Sequence, residues 1–449
     1  MLQFSYYPKS HEKEDFIIHD IIELLNLEYI GHLISEISLR KERQDVYVYI
    51  QLKRDPQVSC KTCGSEKQYV HDYQIKHITH SITTVGKCII IYRARRYRCK
   101  TCRRVYYEPN PLASAYESIS MYTKTLILEY LLDPTHTYAS AAKLYHVSDK
   151  SVINIFDTHV QPRRLKLPAY ISMDEFYVSQ KSKYKYACML INFENNKVID
   201  IYITRHKRYL IEQFSRIPQV ERDQVKGFTI DMWDSYKQVI NLAFPKAKVA
   251  VDSFHVIKQL NEAMKQIRLD VMRKYNKHTS SLEANDMYYY MLKKFHYFFL
   301  RDYDGIYSGP IHINKLNVYW RKEDILHYLL SINDLLYEAY KLKEAYRTFN
   351  KSAIYDTCEL ELEQLTKEFK HFDHLAFRSF GRTLYKWRLE IKNSFIRVEG
   401  RRLSNGKIEK TNSKVKTILK SANGIRNFDR LKRRIIYSVN QDVPIRYKI

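Results

Sequence analysis

The chain has 449 residues, of which 45% are hydrophobic, so it can build sizeable cores, and its length predicts two to four domains. Its net charge of +25 favours a polyanionic partner, because each Lys or Arg that neutralises a phosphate releases a condensed counterion. No apolar run approaches the roughly 18 to 20 residues that span a bilayer, and residues 1–10 lack the apolar core of a signal peptide, so we expect a soluble, intracellular protein.

The predicted elements begin with a helix at residues 16–27 (FIIHDIIELLNL) and a strand at residues 46–53 (VYVYIQLK). The chain has seven cysteines, an odd number, and four of them form CxxC pairs. This usage indicates metal binding in a reducing compartment rather than disulfides. The three isolated cysteines, which we expect to be buried, are Cys88, Cys188 and Cys358.

The two CxxC pairs predict a structural zinc site. Each pair presents two thiolates from one tight turn, and two such turns make a tetrahedral site that suits Zn²⁺. The pairs are 35 residues apart, which exceeds the usual spacing, so two unrelated reduced pairs are the alternative. A basic strand at residues 88–97 lies between them and favours a zinc-ribbon-like hairpin. The four predicted ligands are Cys60, Cys63, Cys99 and Cys102.

Residues 122–158 predict a small helical unit that binds DNA. A helix at 122–132 precedes a helix-turn-helix pattern at 137–155, in which Thr137 and Ser148 can cap the two helices. This geometry places a second helix in a major groove, whereas an ordinary helical hairpin is the alternative. Ala141 and Ala142 are small enough for a close helix crossing, and Val152 and Ile155 are expected to face inward. The predicted DNA-contacting residues are Ser148, Lys150, Ser151 and Asn154.

From residue 169 the pattern becomes rich in strands. Three strands are followed by alternating helices and strands, an order that predicts a ribonuclease-H-like α/β core. In that fold the first and fourth strands are neighbours, which would bring Asp174 and Asp231 together. The predicted strands lie at 169–176, 184–194, 197–203, 226–231 and 248–252, and the helices at 209–217, 234–243 and 254–275.

The rest of the chain predicts a helical insertion and a basic end. Residues 276–395 are prone to helix, with core stripes at 295–300 and 325–330. Residues 396–449 carry Glu409, which is followed by a run of cations that we expect to contact phosphates. The predicted DNA-contacting residues of this segment are Lys410, Asn412, Lys414, Lys416 and Arg426, and the further cations are Lys420, Arg430, Lys432, Arg433 and Arg434.

Three acidic residues follow or begin elements that could meet: Asp174, Asp231 and Glu409. Phosphodiester cleavage needs an activated water or hydroxyl and a stabilised leaving oxygen, and two Mg²⁺ ions (or Mn²⁺) supply both. Magnesium prefers hard oxygen ligands, so we expect Asp174 to bridge two ions, with one of the other two carboxylates on each side.

Alternatives to this triad remain open. Asp234 could replace Asp231, and Glu390 or Glu399 could replace Glu409. Strand alternation places the Glu175 side chain on the opposite side of the sheet from Asp174. The residues expected to support the ligands are Asp234, Asp252 and His255, and His255 could instead contact DNA or metal.

The chain resembles the ISL-three family of bacterial insertion-sequence transposases, within the DDE superfamily. The Asp-Met-Trp and Asp-x-Phe-His-Val segments are its most specific features. The matching segments are Met173–Phe176, Ile230–Tyr236, Phe244–Ala247, Val251–Val256, Ser404–Asn412 and Gly424–Phe428. One departure is Lys410, where the family commonly has a glycine after its glutamate, and Glu399-Gly400 offers that pair instead.

The resemblance implies cleavage and joining of the terminal inverted repeats of a mobile element, with Mg²⁺ and without a covalent enzyme intermediate. It implies Asp174, Asp231 and Glu409 as catalytic residues, a homodimer that pairs two element ends, and a bacterial cytoplasmic protein associated with the nucleoid. The alternatives are a catalytically inactive DNA-binding regulator and a nuclease that does not join strands. The predicted domains are 1–55 (helix and strand), 56–112 (zinc module), 113–165 (helix-turn-helix), 166–275 (catalytic core), 276–395 (helical insertion) and 396–449 (catalytic glutamate and basic tail).

Overall fold

The computed structural model describes most of the chain, divided into two compact units. One unit comprises Met1–Arg163 and Lys414–Ile449, and the other comprises Arg164–Ser413. Among the described helices, none is long and apolar enough to cross a membrane. The described residues are 19–55, 59–81, 86–114, 116–179, 183–275, 283–405, 408–421 and 427–444.

A five-stranded sheet forms the N-terminal part of the first unit. Residues 19–24 are helical, which agrees with the described part of the helix predicted at 16–27. The sheet has the order β1-β2-β4-β3, with β5 on the far part of β4. Alternate side chains such as Val48, Ile50 and Ile90 are buried beneath it, as expected for a sheet with one covered face. The elements are α1 (Glu28–Gly31), β1 (Ile34–Glu42), β2 (Asp45–Leu52), β3 (Gln68–Thr79), β4 (Cys88–Cys99) and β5 (Val105–Tyr107).

Three helices follow the sheet: α2 (Met121–Tyr130), α3 (Tyr138–Leu144) and α4 (Asp149–His159). The two predicted caps are confirmed, because the Thr137 hydroxyl accepts from the Ser140 N–H and the Ser148 hydroxyl accepts from the Ser151 N–H. Each cap satisfies an N–H that the first turn of a helix would otherwise leave unpaired. Val152 and Ile155, which were predicted to face inward, are buried, and so are Ala141 and Ala142.

The second unit is built on a sheet with the order β10-β9-β6-β7-β8. β6, β7 and β8 are antiparallel neighbours, whereas β9 is parallel to β6 and β10 is parallel to β9. The predicted order of strands and helices is observed, with one additional short helix, α6. The elements are β6 (Tyr170–Tyr177), β7 (Tyr186–Asn192), β8 (Val198–Tyr202), α5 (Lys207–Ser215), α6 (Gln219–Asp223), β9 (Gly227–Ile230), α7 (Asp234–Ala243), β10 (Lys248–Val251) and α8 (Ser253–Lys274).

Residues 283–393 are mainly helical and share one hydrophobic core with the sheet. The predicted core stripes are confirmed, since Phe295, Phe298, Phe299, Ile325 and Leu329 are buried. A small hairpin, β11 with β12, interrupts the helices and was not predicted. The elements are α9 (Glu283–Lys294), β11 (Ile311–Ile313), β12 (Val318–Trp320), α10 (Lys322–Ser331), α11 (Asp334–Ser352), α12 (Cys358–His371), α13 (Leu375–Lys386) and α14 (Arg388–Asn393), with two 3₁₀ turns at His296–Phe299 and Tyr303–Gly305.

A hairpin of two short strands and two helices complete the described part of the chain. These elements are β13 (Arg397–Val398), β14 (Arg401–Arg402), α15 (Ile408–Ser421) and α16 (Phe428–Asn440). The boundary between the two compact units falls within α15.

Helix α16 packs against α2, α3 and α4 in the first unit. The buried Arg434 donates to the carbonyls of Leu131, Asp133 and His136, which lie at the end of α2 and in the segment after it. The Arg430 guanidinium forms an ion pair with Asp157 at 2.5 Å. The prediction that this part of the basic run contacts phosphates is therefore wrong for Arg430, Arg433 and Arg434, because the carbonyls of α2 and the Asp157 carboxylate occupy their guanidinium groups.

Candidate active site

Three aspartates lie at the carboxyl ends of three adjacent strands. Asp174 is near the end of β6, Asp231 directly follows β9, and Asp252 directly follows β10. The register pairs Ser172 with Thr229, so Asp174 and Asp231 continue the same parallel ladder by two residues. The expectation that the first and fourth strands are neighbours is confirmed. Carboxyl ends of parallel strands meet at one edge of a sheet, which is where open α/β sheets bind ligands.

The charges of these aspartates oppose one another. Burial, together with the negative charges of Asp174 and Asp252, raises the pKa of Asp231 to about 7. Burial also raises the pKa of Asp252, which is only 6% exposed. Like charges in a partly buried site disfavour ionisation. A compensating cation would therefore favour the ionised form of these carboxylates.

His255 completes a tight group with two of these carboxylates. Its Nε2 atom lies 3.1 Å from Oδ1 of Asp231, and the side chain projects from the first turn of α8. Among the described residues, Asp231, Asp252 and His255 offer ligand atoms that all lie within 4.8 Å of one another. This group could hold a metal ion, and it shares only Asp231 with the predicted triad.

Two asparagines from the C-terminal segment close the polar side of the sheet. The Asn412 amide donates to Oδ2 of Asp174 at 2.5 Å, and the Asn405 N–H donates to Oδ1 of Asp252 at 3.3 Å. Beneath them, the buried Thr229 hydroxyl donates to Oδ1 of Asn405 and lies 2.8 Å from the Ser172 hydroxyl. Asn405 was missed by sequence reasoning, and Asn412 was predicted to contact DNA instead. The alternation of Ser172 with Asp174, and of Thr229 with Asp231, is the signal that a polar partner must cover this face.

Glu409 lies in the first turn of α15 and is exposed. Asn412, three residues later, is on the same side of the helix, because residues three apart are neighbours on a helix surface. The contact between Asn412 and Asp174 therefore brings the Glu409 backbone within about one helical turn, roughly 5 Å along the axis, of the contact to Asp174.

The rival carboxylates have other partners. Asp234, in the first turn of α7, forms an ion pair with Lys386. Glu390 is buried and forms an ion pair with Lys237 at 2.7 Å. Glu399 precedes Gly400 at the tip of the β13–β14 hairpin, and both have positive φ, 50° and 76°, as a tight hairpin turn requires. The Glu399-Gly400 pair is thus explained by its turn.

The donor set of the cluster suits a hard cation. Magnesium prefers carboxylate and amide oxygens, and the aspartates supply the former. Oδ1 of Asn412 is buried beside Asp174 and has no hydrogen-bond partner within the described part of the chain. An oxygen left unpaired next to carboxylates is what a cation, with or without its waters, would satisfy.

Comparison with known proteins decides the family. A profile of the DDE-type ISL3 (ISL-three) transposases matches residues 171–435, which is more than half of the chain. The chain belongs to the ISL3 transposase family. The match begins in β6 and ends in α16, so it includes the three strand-end aspartates, both asparagines and Glu409. No curated protein matches the chain significantly. Membership of the ISL3 family implies a nucleic-acid-processing enzyme that binds DNA, and enzymes of the DDE type use divalent metal ions.

A four-cysteine cluster lies outside the matched segment of this transposase. The Sγ atoms of Cys60 and Cys102 are 3.5 Å apart, and those of Cys63 and Cys99 are 3.7 Å apart. Four sulfurs around one Zn²⁺ at about 2.3 Å have similar separations, because the edge of a tetrahedron is about 1.6 times its centre-to-corner distance. The N–H groups of Cys102 and Thr101 lower the pKa of Cys99 to about 6, which favours the thiolate that binds metal. These cysteines could therefore hold zinc, and the isolated Cys88, Cys188 and Cys358 are buried as expected.

The residues predicted to contact DNA lie on two helices. At the start of α4, Ser148, Lys150 and Asn154 are exposed, whereas Ser151 is half-buried and hydrogen-bonded to Ser148. On α15, Lys410 and Lys416 are exposed and Lys414 is half-buried. Arg426 lies outside the described residues.

Proposed function

We propose that this protein is a DNA transposase that binds the terminal inverted repeats of a mobile element and cleaves and joins their strands with divalent metal. The observation that carries the proposal is the group formed by Asp231, Asp252 and His255 at the sheet edge, whose ligand atoms lie within 4.8 Å of one another inside the segment that matches the transposase family. Burial and like charge oppose the ionisation of Asp231 and raise its pKa, so this cluster is suited to take up cations, and perturbed pKa values of this kind gather at functional sites.

We infer a ribonuclease-H-like core with Asp174, Asp231 and Glu409 as the residues that hold the metal. The strand order β10-β9-β6-β7-β8 supports this fold. Mg²⁺ ions bound there would activate the attacking oxygen and stabilise the leaving oxygen. Asn412 fixes the orientation of the Asp174 carboxylate, and His255 does the same for Asp231. Supporting groups of this kind hold metal ligands in place before the metal binds.

DNA binding is assigned to two sets of side chains. The first two turns of α4, capped by Ser148, present the exposed Lys150 and Asn154 in the manner of a recognition helix. The exposed lysines of α15, the helix that carries Glu409 in its first turn, would contact phosphates. The zinc site would stabilise the small sheet that precedes α2, and a homodimer would pair two element ends.

The experiment uses duplexes made from the DNA that flanks the coding region on both sides. Binding is measured by gel shift without metal, and nicking and joining are measured with Mg²⁺ or Mn²⁺. The variant is Asp174→Asn, and the matched control is Asp234→Asn, which makes the same charge change at a residue paired with Lys386. Asp174→Asn should bind like the wild type and lose at least about a thousandfold in cleavage rate, whereas Asp234→Asn should cleave normally.

Two results would redirect the proposal. If the wild type binds these ends but never nicks them with either metal, the protein is a DNA-binding regulator. If the wild type cuts the flanking DNA but never joins pre-cleaved ends to a target duplex, the protein is a nuclease without strand transfer.

A further inference from the structure

Four aromatic side chains gather at the end of the β6–β7 pair and the start of α7. We call Tyr177, Tyr184, Tyr186 and Trp233 the aromatic platform. Tyr177 and Tyr186 are 43% and 37% exposed, and their rings meet edge to face with centroids 5.5 Å apart. Large exposed aromatic faces are costly in water, so a platform of this kind indicates a surface that is covered when the protein works.

An arginine lies between two rings of the platform. The guanidinium carbon of Arg205 is 4.3 Å from the Tyr186 ring centroid and 4.6 Å from the Trp233 ring centroid. Glu175 forms an ion pair with Arg205, and the Tyr236 hydroxyl donates to Glu175 at 3.4 Å. Arg205 is therefore held by stacking and by charge together, which makes the adjacent rings rigid.

The platform is close to the carboxylate cluster along the chain and on the sheet. Glu175 directly follows Asp174, and Trp233 follows Asp231 by two residues. Cross-strand pairing of Tyr177 with Tyr186 places these rings on the side of β6 that Glu175 faces, opposite to Asp174. The two surfaces are thus the opposite sides of one strand end, and Trp233 shares with Asp231 the short segment between β9 and α7.

The charge around the platform is mainly positive. Lys183 lies 5.5 Å from the Tyr184 ring centroid, and His206 packs against the same ring. Glu175 forms an ion pair with the platform's arginine, which neutralises its charge. The exposed basic residues that flank the platform in sequence are Lys183, Lys185, Lys207 and Arg208. Aromatic faces framed by cations complement nucleic acid, whose bases stack on rings and whose phosphates pair with lysine and arginine.

We propose that the aromatic platform binds unpaired nucleotides of a DNA strand beside the phosphate that is cut. A base in a duplex is already stacked on both faces, so a ring face gains a partner only where the bases are unpaired. The assignment to DNA near the cut rests on the proposed function, whereas the preference for a single strand over a duplex rests on the platform alone. Glu175 and Arg205 are positioning residues, because they hold the rings rather than touch the reacting atoms.

The test measures binding of a fluorescein-labelled twelve-nucleotide oligothymidylate, and of a duplex of equal length, to the full chain in EDTA. Fluorescence anisotropy gives the affinity, and tryptophan emission reports stacking on Trp233. The variants are Tyr186→Ala and Trp233→Phe. The control is Tyr337→Ala, which removes an exposed tyrosine that also has a lysine over its ring, at 5.1 Å, in the helical insertion.

Tyr186→Ala should bind the oligothymidylate about 5- to 100-fold more weakly, in line with the loss of one base–aromatic stack, with duplex binding nearly unchanged. Trp233→Phe, which keeps a ring and should fold, should lose the quenching that the oligothymidylate causes in the wild type. Tyr337→Ala should behave like the wild type. The proposal is overturned if both platform variants bind and quench as the wild type does, or if Tyr337→Ala weakens binding equally. Cleavage of the flanking DNA with Mg²⁺ is measured separately. If the wild type cleaves this DNA but the platform variants bind oligothymidylate as it does, only the platform proposal is rejected. If the platform variants bind oligothymidylate more weakly but the wild type does not cleave, only the transposase proposal is rejected.

Discussion

Replacing Asp231 with asparagine should stabilise the metal-free protein while abolishing its response to Mg²⁺. Burial and the charges of Asp174 and Asp252 raise the pKa of Asp231 to about 7, far above the value of 3.8 for a free side chain. A carboxyl whose pKa is higher in the folded state than in the unfolded state favours folding fully below about pH 4. That contribution is lost as the pH rises through 7, so the wild type pays for ionisation under ordinary conditions.

The size of this effect follows from the pKa difference. One pKa unit corresponds to about 1.4 kcal/mol, so ionising Asp231 at pH 8 would cost up to about 4 kcal/mol if the site were dry. The Asp231 side chain is 31% exposed, and solvent screening reduces the expected cost to about 2 kcal/mol. In the unit that contains Asp231, Arg164–Ser413, this cost corresponds to a Tm that is about 4 to 8 °C higher in Asp231→Asn than in the wild type at pH 8. The difference in Tm should be smaller at pH 5.

The assay is thermal unfolding of the full chain, followed by calorimetry between pH 5 and pH 8, in EDTA and in 10 mM Mg²⁺. The wild type should gain stability when Mg²⁺ is added, because a ligand that binds only the folded state shifts the unfolding equilibrium, and Asp231→Asn should not. Asp234→Asn serves as the charge-matched control and should differ little from the wild type. A lower Tm for Asp231→Asn than for the wild type in EDTA at pH 8 would refute the reasoning.

Two further predictions concern the first unit. The double variant Cys60→Ser with Cys99→Ser should lose about one Zn²⁺ per chain by metal analysis, whereas Cys358→Ser should keep it. Equal zinc in the wild type and in both variants would contradict the four-cysteine site. Arg434→Met should cost about 3 to 5 kcal/mol in denaturant unfolding, because it leaves buried carbonyls unpaired, whereas Arg433→Met, at a less buried position, should cost about 1 kcal/mol. A smaller loss for Arg434→Met than for Arg433→Met would show that α16 does not anchor the helices as described.

The order of elements in the second unit followed from residue patterns, because its signals are local. The apolar runs that end at Asp174 and Asp231 are central strands, and a buried strand shows itself by hydrophobicity whatever lies elsewhere in the chain. The helix caps Thr137 and Ser148 were equally predictable, since a cap needs only its own first turn.

The contacts that complete the site were not predictable in the same way. Asn405 and Asn412 reach Asp252 and Asp174 across more than 150 residues of sequence. Nothing near either asparagine in the sequence identifies its partner. Arg434 was misread for a related reason, because a run of cations resembles a phosphate-binding surface until the fold shows which carbonyls surround each one.

The most direct test of the central claim compares Glu409→Gln with Glu399→Gln in cleavage of the flanking DNA with Mg²⁺. Both changes remove one negative charge from an exposed glutamate, but Glu409 is one turn from the residue that contacts Asp174, and Glu399 is at a hairpin tip. We predict that Glu409→Gln binds DNA and cuts it at least about a thousandfold more slowly, and that Glu399→Gln cuts at the wild-type rate. Full cleavage by Glu409→Gln, or its loss in Glu399→Gln alone, would contradict the assignment of Asp174, Asp231 and Glu409 as the catalytic set.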